Sequence, residues 1–334
     1  MNHLLLQAMT NKYVDRWMTK LLGPFVTIYT LHRPNPANHS FHGIDEGLLD
    51  QSLRFAVERG YRFASIDELV EAAVRQQELT HPTLCFTLDD GYADQITRLV
   101  PVLLRHQAKP TLFTITDFVD RVDWPWDAKV SYVIWNTHLT RFTLETAGGQ
   151  LELNCSTTGH KVNARRALSR HAKTLNKKAL HEFLQRLQEI CRVNVPEEAP
   201  EEYAPATWET LRTYESQGLR VGAHSRSHLV LSALSDEEIL QELTYSKQRI
   251  DSELNNPSRV FCYPSGTARD FSATHPRLVE QVGFSSAITT ISKPTNLQAI
   301  RNNLYQIDRI GFPETFDKFV RYSSWIEVLR NKLS

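Results

Sequence analysis

Seven short apolar runs, rich in β-branched and aromatic residues, recur at 25–31, 84–88, 111–115, 219–223, 260–263, 286–289 and 304–307. Their length and composition predict strands. Helical stretches lie between most of them. Over 48–57, Leu48, Leu49, Leu53, Phe55 and Val57 form an apolar stripe, and Gly60 closes the helix. Ser65-Ile66-Asp67-Glu68 and Ser235-Asp236-Glu237-Glu238 are capping boxes, opening helices to about 76 and about 254. Residues 94–106, 275–282 and 314–333 complete the helical set, with Gly283 following the second of these.

Strand alternating with helix predicts a mainly parallel sheet, open or closed into a barrel. Polar residues at the strand ends discriminate between the two. His32, Asp89, Asp90, His224, His228, Tyr263 and Asp308 each lie at or just after the carboxyl end of a predicted strand. A barrel brings many such ends to one face. An open sheet gathers only those beside its switch point. The expectation is therefore an α/β barrel, distorted or incomplete.

The rhythm stops over about 121–205. This segment holds Trp124, Trp126, Tyr132, Trp135 and Gly148-Gly149, then a basic helical stretch. Between Lys161 and Arg192 there are nine Lys/Arg and two Glu, with an apolar stripe that includes Leu168, Leu175, Leu180, Leu184 and Leu187. The acidic linker Glu197-Glu198-Ala199-Pro200-Glu201-Glu202 follows. The segment is expected to be an insertion between two strands of a single domain spanning 1–334. Its cations either form a solvated helix face or a platform for an acidic glycan, a lipid-phosphate carrier or an anionic membrane surface.

Composition narrows the function. The chain has 334 residues, 41% apolar and 23% charged, as in globular proteins. Lys+Arg and Asp+Glu stand at 38 each, which argues against a general nucleic-acid binder. No apolar run suffices for a membrane span. Leu4-Leu5-Leu6 is broken at Gln7, Asn11, Asp15 and Arg16, unlike a signal-peptide core, so a cytoplasmic location is expected. Cys85, Cys155, Cys191 and Cys262 show no paired spacing and are expected to be buried free thiols.

The strongest chemistry lies in Phe86-Thr87-Leu88-Asp89-Asp90-Gly91-Tyr92. A strand ending in two carboxylates and a glycine sends the pair in different directions, so one can bind a metal while the other takes a proton. Asp-Asp-Gly is also a common turn. The second segment, His224-Ser225-Arg226-Ser227-His228, sharpens the first reading. Histidines at i and i+4 share one side of a helical turn, about 6 Å apart. With Asp90 they make a His-His-Asp set with open positions, suited to a catalytic zinc or similar ion. Asp89 is then the general base.

These residues carry a family resemblance. Thr87-Leu88-Asp89-Asp90-Gly91-Tyr92 and His224-Ser225-Arg226-Ser227-His228 resemble the first two motifs of the polysaccharide deacetylases, with the NodB homology fold. The resemblance covers about 25–120 and 205–315, and Ala206-Thr207-Trp208 is similar to the segment before the histidine motif. It implies a distorted (β/α)7 barrel and metal-dependent removal of N- or O-acetyl groups from a carbohydrate. It places the base on Asp89 and a divalent ion (Zn2+ first, then Co2+, Ni2+ or Mn2+) on Asp90, His224 and His228.

Two departures stand out. The third motif reads Phe261-Cys262-Tyr263-Pro264-Ser265-Gly266. This is similar to the poly-N-acetylglucosamine deacetylase branch and lacks the arginine that orients the base. Arg309 either substitutes for that arginine or makes a structural salt bridge. The Leu-x-His motif is also absent. Ile28-Tyr29-Thr30-Leu31-His32 resembles the branch whose acid histidine comes from the amino-terminal strand, so His32 is either the catalytic acid or a strand-end histidine without a role. His39 and His42 read as surface residues. The backbone N–H of Tyr263 is the candidate oxyanion donor. Tyr92, Trp124, Trp126 and Trp208 either stack on sugar rings or anchor the core. Two rival functions remain open: a deacylase acting on a small non-sugar amide, and an inactive carbohydrate-binding barrel.

Overall fold

The computed structural model describes residues 6, 9–36, 43–146 and 149–333. His39, His42 and Gly148 lie outside them. The strands are β1 (Val26–Leu31), β2 (Arg62–Phe63), β3 (Thr83–Asp90), β4 (Thr111–Thr114), β5 (Arg141–Thr146), β6 (Gly149–Asn154), β7 (Arg220–Ala223), β8 (Val260–Cys262), β9 (Ser286–Ile288) and β10 (Ile310–Gly311). The main sheet is parallel and runs β10-β1-β3-β4-β7-β8-β9, with β2 paired to β3. It curls, with its flanking helices, into the distorted (β/α) barrel that the strand ends predict. All six residues of β1 and the first seven of β3 are buried, as expected where both sheet faces are covered.

Alternate residues of each strand serve different packing layers. Tyr29, Phe86, Leu88, Leu112, Val221 and Phe261 belong to one cluster, in which Tyr29 stacks on Phe86 and on Phe319. Ile28, Cys85, Phe113, Val260, Cys262 and Ile288 belong to the other, packed with helices Ile66–Val74 and Leu297–Asn302. By the same alternation Asp89 falls on the Cys85 side.

Several expected elements change form. Residues 304–307 are not a strand: Ile307 makes an isolated bridge to Ile288, and the chain crosses to pair as β10 with β1. That crossing links the two ends of the sheet, through Thr289 N–H to Ile307 O and Phe312 N–H to Thr30 O. The helix expected over 314–333 divides into Phe316–Tyr322 and Trp325–Leu333. At the break, Ser323 hydrogen-bonds the Tyr29 hydroxyl (2.6 Å) and its carbonyl accepts from Tyr61 (2.8 Å). The 94–106 helix opens with a π-helical turn, Gln95–Leu99. Both capping boxes are present.

The segment between β4 and β7, neighbours in the sheet, contains helix Trp126–Asn136 and an antiparallel hairpin of β5 and β6. The basic stretch forms two helices, Thr158–Ala172 and Lys177–Cys191, and Asn176 caps the second. These elements share a separate apolar cluster that also takes in Leu229 and Val230, just after the histidine segment. All four cysteines are buried and unpaired. No helix among the described residues is long and apolar enough to cross a membrane.

Candidate metal centre

Sheet register sets the first contacts of the site. Asp90 pairs with Thr114, and Thr114 with Ala223, so the ends of β3 and β7 stand level on either side of β4. Asp90 then takes φ +85° and Gly91 φ +93°. A positive φ is unusual for a residue with a side chain. This kink ends the strand alternation at Asp90, next to a site that also holds positive φ at Ser225, His228 and Ser265. Such strained positions gather at functional sites when their surroundings hold them.

Gln95 clamps the turn with all of its amide groups. Its side-chain oxygen accepts from Gly91 N–H (3.2 Å) and Tyr92 N–H (2.9 Å), and its nitrogen donates to the carbonyls of Asp89 (2.7 Å) and His32 (3.2 Å). Gln95 therefore ties the ends of β1 and β3 together. Nothing in the local sequence marks it out.

The two histidines come together, but not on a helical turn. Residues 224–230 are irregular. Glu242, from helix Asp236–Glu253, accepts from Arg226 N–H (3.0 Å), Ser227 N–H (2.8 Å) and Ser227 Oγ (2.7 Å). Ser225 Oγ accepts from His228 N–H (3.0 Å). These bonds fold the loop so that the imidazole centroids lie 5.0 Å apart.

Asp90 Oδ1 sits 3.6 Å from His224 Nε2 and 3.6 Å from His228 Nε2. Tetrahedral ligands at zinc-like bond lengths stand about 3.4 Å apart, so the spacing suits an ion between the three groups. Outer partners orient both rings, as is usual for metal-binding histidines. His224 Nδ1 lies 2.8 Å from the Cys262 carbonyl, which can only accept, so Nδ1 carries the proton and Nε2 is free to ligate. His228 Nδ1 faces Asp127 Oδ1 at 3.4 Å, and Trp126 Nε1 donates to the His228 carbonyl (2.9 Å).

The electrostatics suit a bound cation. Burial pushes His224 down to about 3, leaving it neutral. Burial raises the Asp90 carboxyl, and the nearby Asp127 and Asp89 charges add to this. Burial lowers His228, but the Asp127 and Asp90 carboxylates more than offset it and its pKa rises. A donor set with surplus negative charge retains a proton, and a divalent cation would balance that charge instead. A second cluster, Asp89-His224-Cys262, fits an ion poorly. Burial holds the Cys262 thiol protonated, and Cys262 does not line the pocket.

Asp89 has different surroundings. Arg309, buried to 1% exposure, grips it with two hydrogen bonds of 2.8 Å, one to each carboxylate oxygen. The guanidinium also donates to Thr87 Oγ1 (2.8 Å) and the Thr289 carbonyl (2.7 Å). Burial alone would raise the Asp89 carboxyl, yet the Arg309 charge and hydrogen bonds hold it well below the usual range. It stays ionised at any ordinary pH.

Above these groups opens a pocket of about 590 Å³, lined by His32, Asp89, Asp90, Tyr92, His224 and His228 among others. His32 is solvent-exposed at its rim. Tyr92 is buried, with the Arg33 guanidinium 4.4 Å from its ring centroid.

Two expected site residues are elsewhere. Tyr263 N–H donates to the Ile288 carbonyl (3.2 Å) within the sheet, so it is not an oxyanion donor. Its ring stacks on Phe271, and its hydroxyl donates to the Tyr305 carbonyl (3.1 Å). Trp208 does not line the pocket: its Nε1 donates to Asp120 Oδ1 (2.7 Å), and Arg249 lies over its ring. Trp124 is buried among Phe118, Tyr132 and Tyr203.

Fold and site together define an α/β barrel whose strand ends carry an arginine-held carboxylate and a candidate metal cluster. Residues 76–287 match the family model for polysaccharide deacetylase, and the chain belongs to that family. Deacetylation of a carbohydrate is the family's activity, and an acetylated carbohydrate its substrate class. Among solved structures, the chain is similar to the Streptococcus pyogenes deacetylase PplD in complex with acetate (16% identity, TM-score 0.59, covering 90% of this chain and 98% of that one). It is also similar to IcaB from Ammonifex degensii (14%, 0.57, 91% and 98%). A third likeness is the BpsB deacetylase domain from Bordetella bronchiseptica (15%, 0.51, 86% and 96%). At these identities the likeness is one of fold. No curated protein matches the sequence.

Proposed function

We propose that this chain is a divalent-metal-dependent hydrolase that removes acetyl groups, N-acetyl foremost, from an oligosaccharide, a polysaccharide or a glycan precursor. We read the chain as one barrel domain carrying the 121–205 insertion. The observation that carries the function is the contrast between adjacent carboxylates. Asp89 is locked ionised by Arg309, while Asp90 stands 3.6 Å from each of two imidazole nitrogens.

Bound by Asp90, His224 and His228, a zinc-like ion would acidify water and polarise the acetyl carbonyl. Asp89 takes the proton of the attacking water. Arg309 orients it for this role and keeps it deprotonated, at the cost of basicity. His32, at the pocket rim, protonates the departing sugar nitrogen. Tyr92 forms part of the wall against which the sugar rests.

The test is acetate release from N-acetylated oligosaccharides, before and after chelation, with Zn2+, Co2+, Ni2+ or Mn2+ added back. The expected result is release that stops with chelator and returns with metal. Undiminished release in chelator would sink the metal dependence. Release from small amides but not from sugars would move the substrate outside carbohydrates.

A further inference from the structure

The pocket has a second wall, supplied by the insertion. Arg165, Arg166, Ser169, Arg170 and Lys173, from helix Thr158–Ala172 and its end, line the same cavity as the candidate metal cluster. The helical repeat explains the grouping. Positions 165, 169 and 173 share one face, and 166 and 170 lie beside it. From Arg165 to Lys173 the helix rises about 12 Å.

The charge on this wall is largely unspent. Lys173 has Asp270 at 3.7 Å, and Arg33, on the opposite rim, is bonded to Asp94 (2.7 Å). Arg165, Arg166 and Arg170 make no ion pair or hydrogen bond with any described residue. Arg165 is near enough to depress the Asp127 carboxyl, without touching it. Arg166 and Arg170, at i and i+4, repel each other. Ser169 Oγ, on the same stripe, is shielded from solvent and has no hydrogen-bond partner among the described residues. Three guanidinium groups and a hydroxyl without protein partners, beside the strand-end cluster, offer donors that match anionic oxygens.

The second basic helix does not share this wall. Lys177, Lys178 and His181 line a different cavity, of about 1210 Å³, together with Arg226, Asp117 and Glu182. The break between the two helices thus separates the basic stretch into two surfaces.

We infer that the substrate is an acidic acetylated carbohydrate, whose phosphate or carboxylate groups lie along Arg165, Arg166, Ser169 and Arg170 while its acetyl group meets the strand-end cluster. This rests on the deacetylase reading for the acetyl group, but the anion-binding wall stands on its own geometry. The row from Arg165 to Arg170 rises about 7.5 Å, more than one phosphate requires. It suits charge spread over neighbouring sugar units or over a diphosphate.

The experiment measures binding to the full chain, stripped of ion with chelator, by three acetylated ligands. One is the neutral tetrasaccharide of N-acetylglucosamine. The second is a tetrasaccharide alternating N-acetylglucosamine with glucuronic acid, and the third is a nucleoside-diphosphate-linked N-acetylglucosamine. At low salt an acidic ligand is expected to bind about tenfold tighter than the neutral one, with the advantage shrinking as salt rises. Which acidic ligand leads decides between carboxylate and phosphate.

The double substitution Arg166→Glu/Arg170→Glu, at exposed positions, should cut that preference about tenfold, and Arg166→Lys/Arg170→Lys should largely preserve it. Equal affinity for neutral and acidic ligands, or a preference untouched by the glutamates, overturns the inference. So does a charge reversal that alters only co-sedimentation with anionic vesicles, which would make the wall a membrane contact. Acetate release by the metal-loaded chain is scored separately. Preference for acidic ligands without acetate release would defeat the deacetylase reading alone.

Discussion

The floor and the roof of the pocket handle charge in opposite ways. On the floor, at the ends of the strands, Asp89 is buried and answered from within the protein by Arg309, and Asp90 is set between two imidazoles as a candidate ligand. On the roof, Arg165, Arg166 and Arg170 are partly or fully exposed and unanswered among the described residues. Buried charge must be matched because desolvation is costly. Exposed charge can wait for a ligand. The floor is thus fixed chemistry, and the roof is a surface open to change without rebuilding the barrel. Asp127 crosses the boundary, since it belongs to the insertion but faces a floor histidine.

The comparison breaks most visibly at the two carboxylates. Asp89→Asn keeps an acceptor for Arg309 and leaves the candidate ligands intact. It should retain bound metal and lose about 10²–10⁴-fold in turnover, the scale of general acid–base catalysis. Asp90→Asn should instead lose metal. Metal analysis beside acetate release checks both, and equal metal loss in the two variants would show the roles to be misassigned.

Arg309→Ala tests whether the floor needs internal matching. It leaves Asp89 buried without its partner and should cost about 3–5 kcal/mol of stability. Adding Asp89→Asn should recover part of the loss, because the orphaned charge goes with it. Denaturant titration of the single and double variants measures this. If the second substitution makes matters worse by its full separate cost, the pair does not act as a unit.

His32 stands between the two regions, exposed at the rim of a buried site. His32→Ala should keep fold and metal and slow N-acetyl cleavage by about 10²-fold. An O-acetyl ester, with its better leaving group, should suffer less. Unchanged rates on the N-acetyl substrate would remove His32 from the reaction.

The floor was far more legible in the sequence than the roof. Parallel strands buried on both faces read as apolar runs, so β1, β3, β4 and β7 could be located from composition. Asp89-Asp90-Gly91 was visible because a strand must end somewhere, and the kink falls at Asp90 and Gly91. The spacing of His224 and His228 pointed to a shared ligand, but for a helical reason that does not apply. The loop is shaped by Glu242, which is distant in sequence. Gln95 and Asp127 were missed because the contacts that give them a role, to His32 and His228, form only in the folded chain. Tyr263 and Trp208 were over-read: position at a strand end does not say that an N–H is already spent on a neighbouring strand. The hairpin of β5 and β6 went unseen. The roof was left undecided between a solvated face and a platform, because nine cations on a helical stretch look alike until the break after Lys173 sends four of them to one cavity and two to another.

The smallest effect is expected at Asp127, and it sharpens the comparison most. If the insertion only shapes substrate choice, Asp127→Asn should behave like a roof substitution and leave metal affinity alone. The geometry says otherwise. Asp127 Oδ1 lies 3.4 Å from His228 Nδ1, and its charge helps to raise the His228 pKa. A carboxylate behind a ligating imidazole fixes the tautomer and makes the ring a better donor. The amide can orient the ring but cannot supply that charge. Metal affinity, measured by competition with a chromophoric chelator, should therefore weaken by about 10–100-fold, with the ion still able to bind at saturation. Unaltered affinity would confine the insertion to the roof and leave the strand ends as a self-sufficient site.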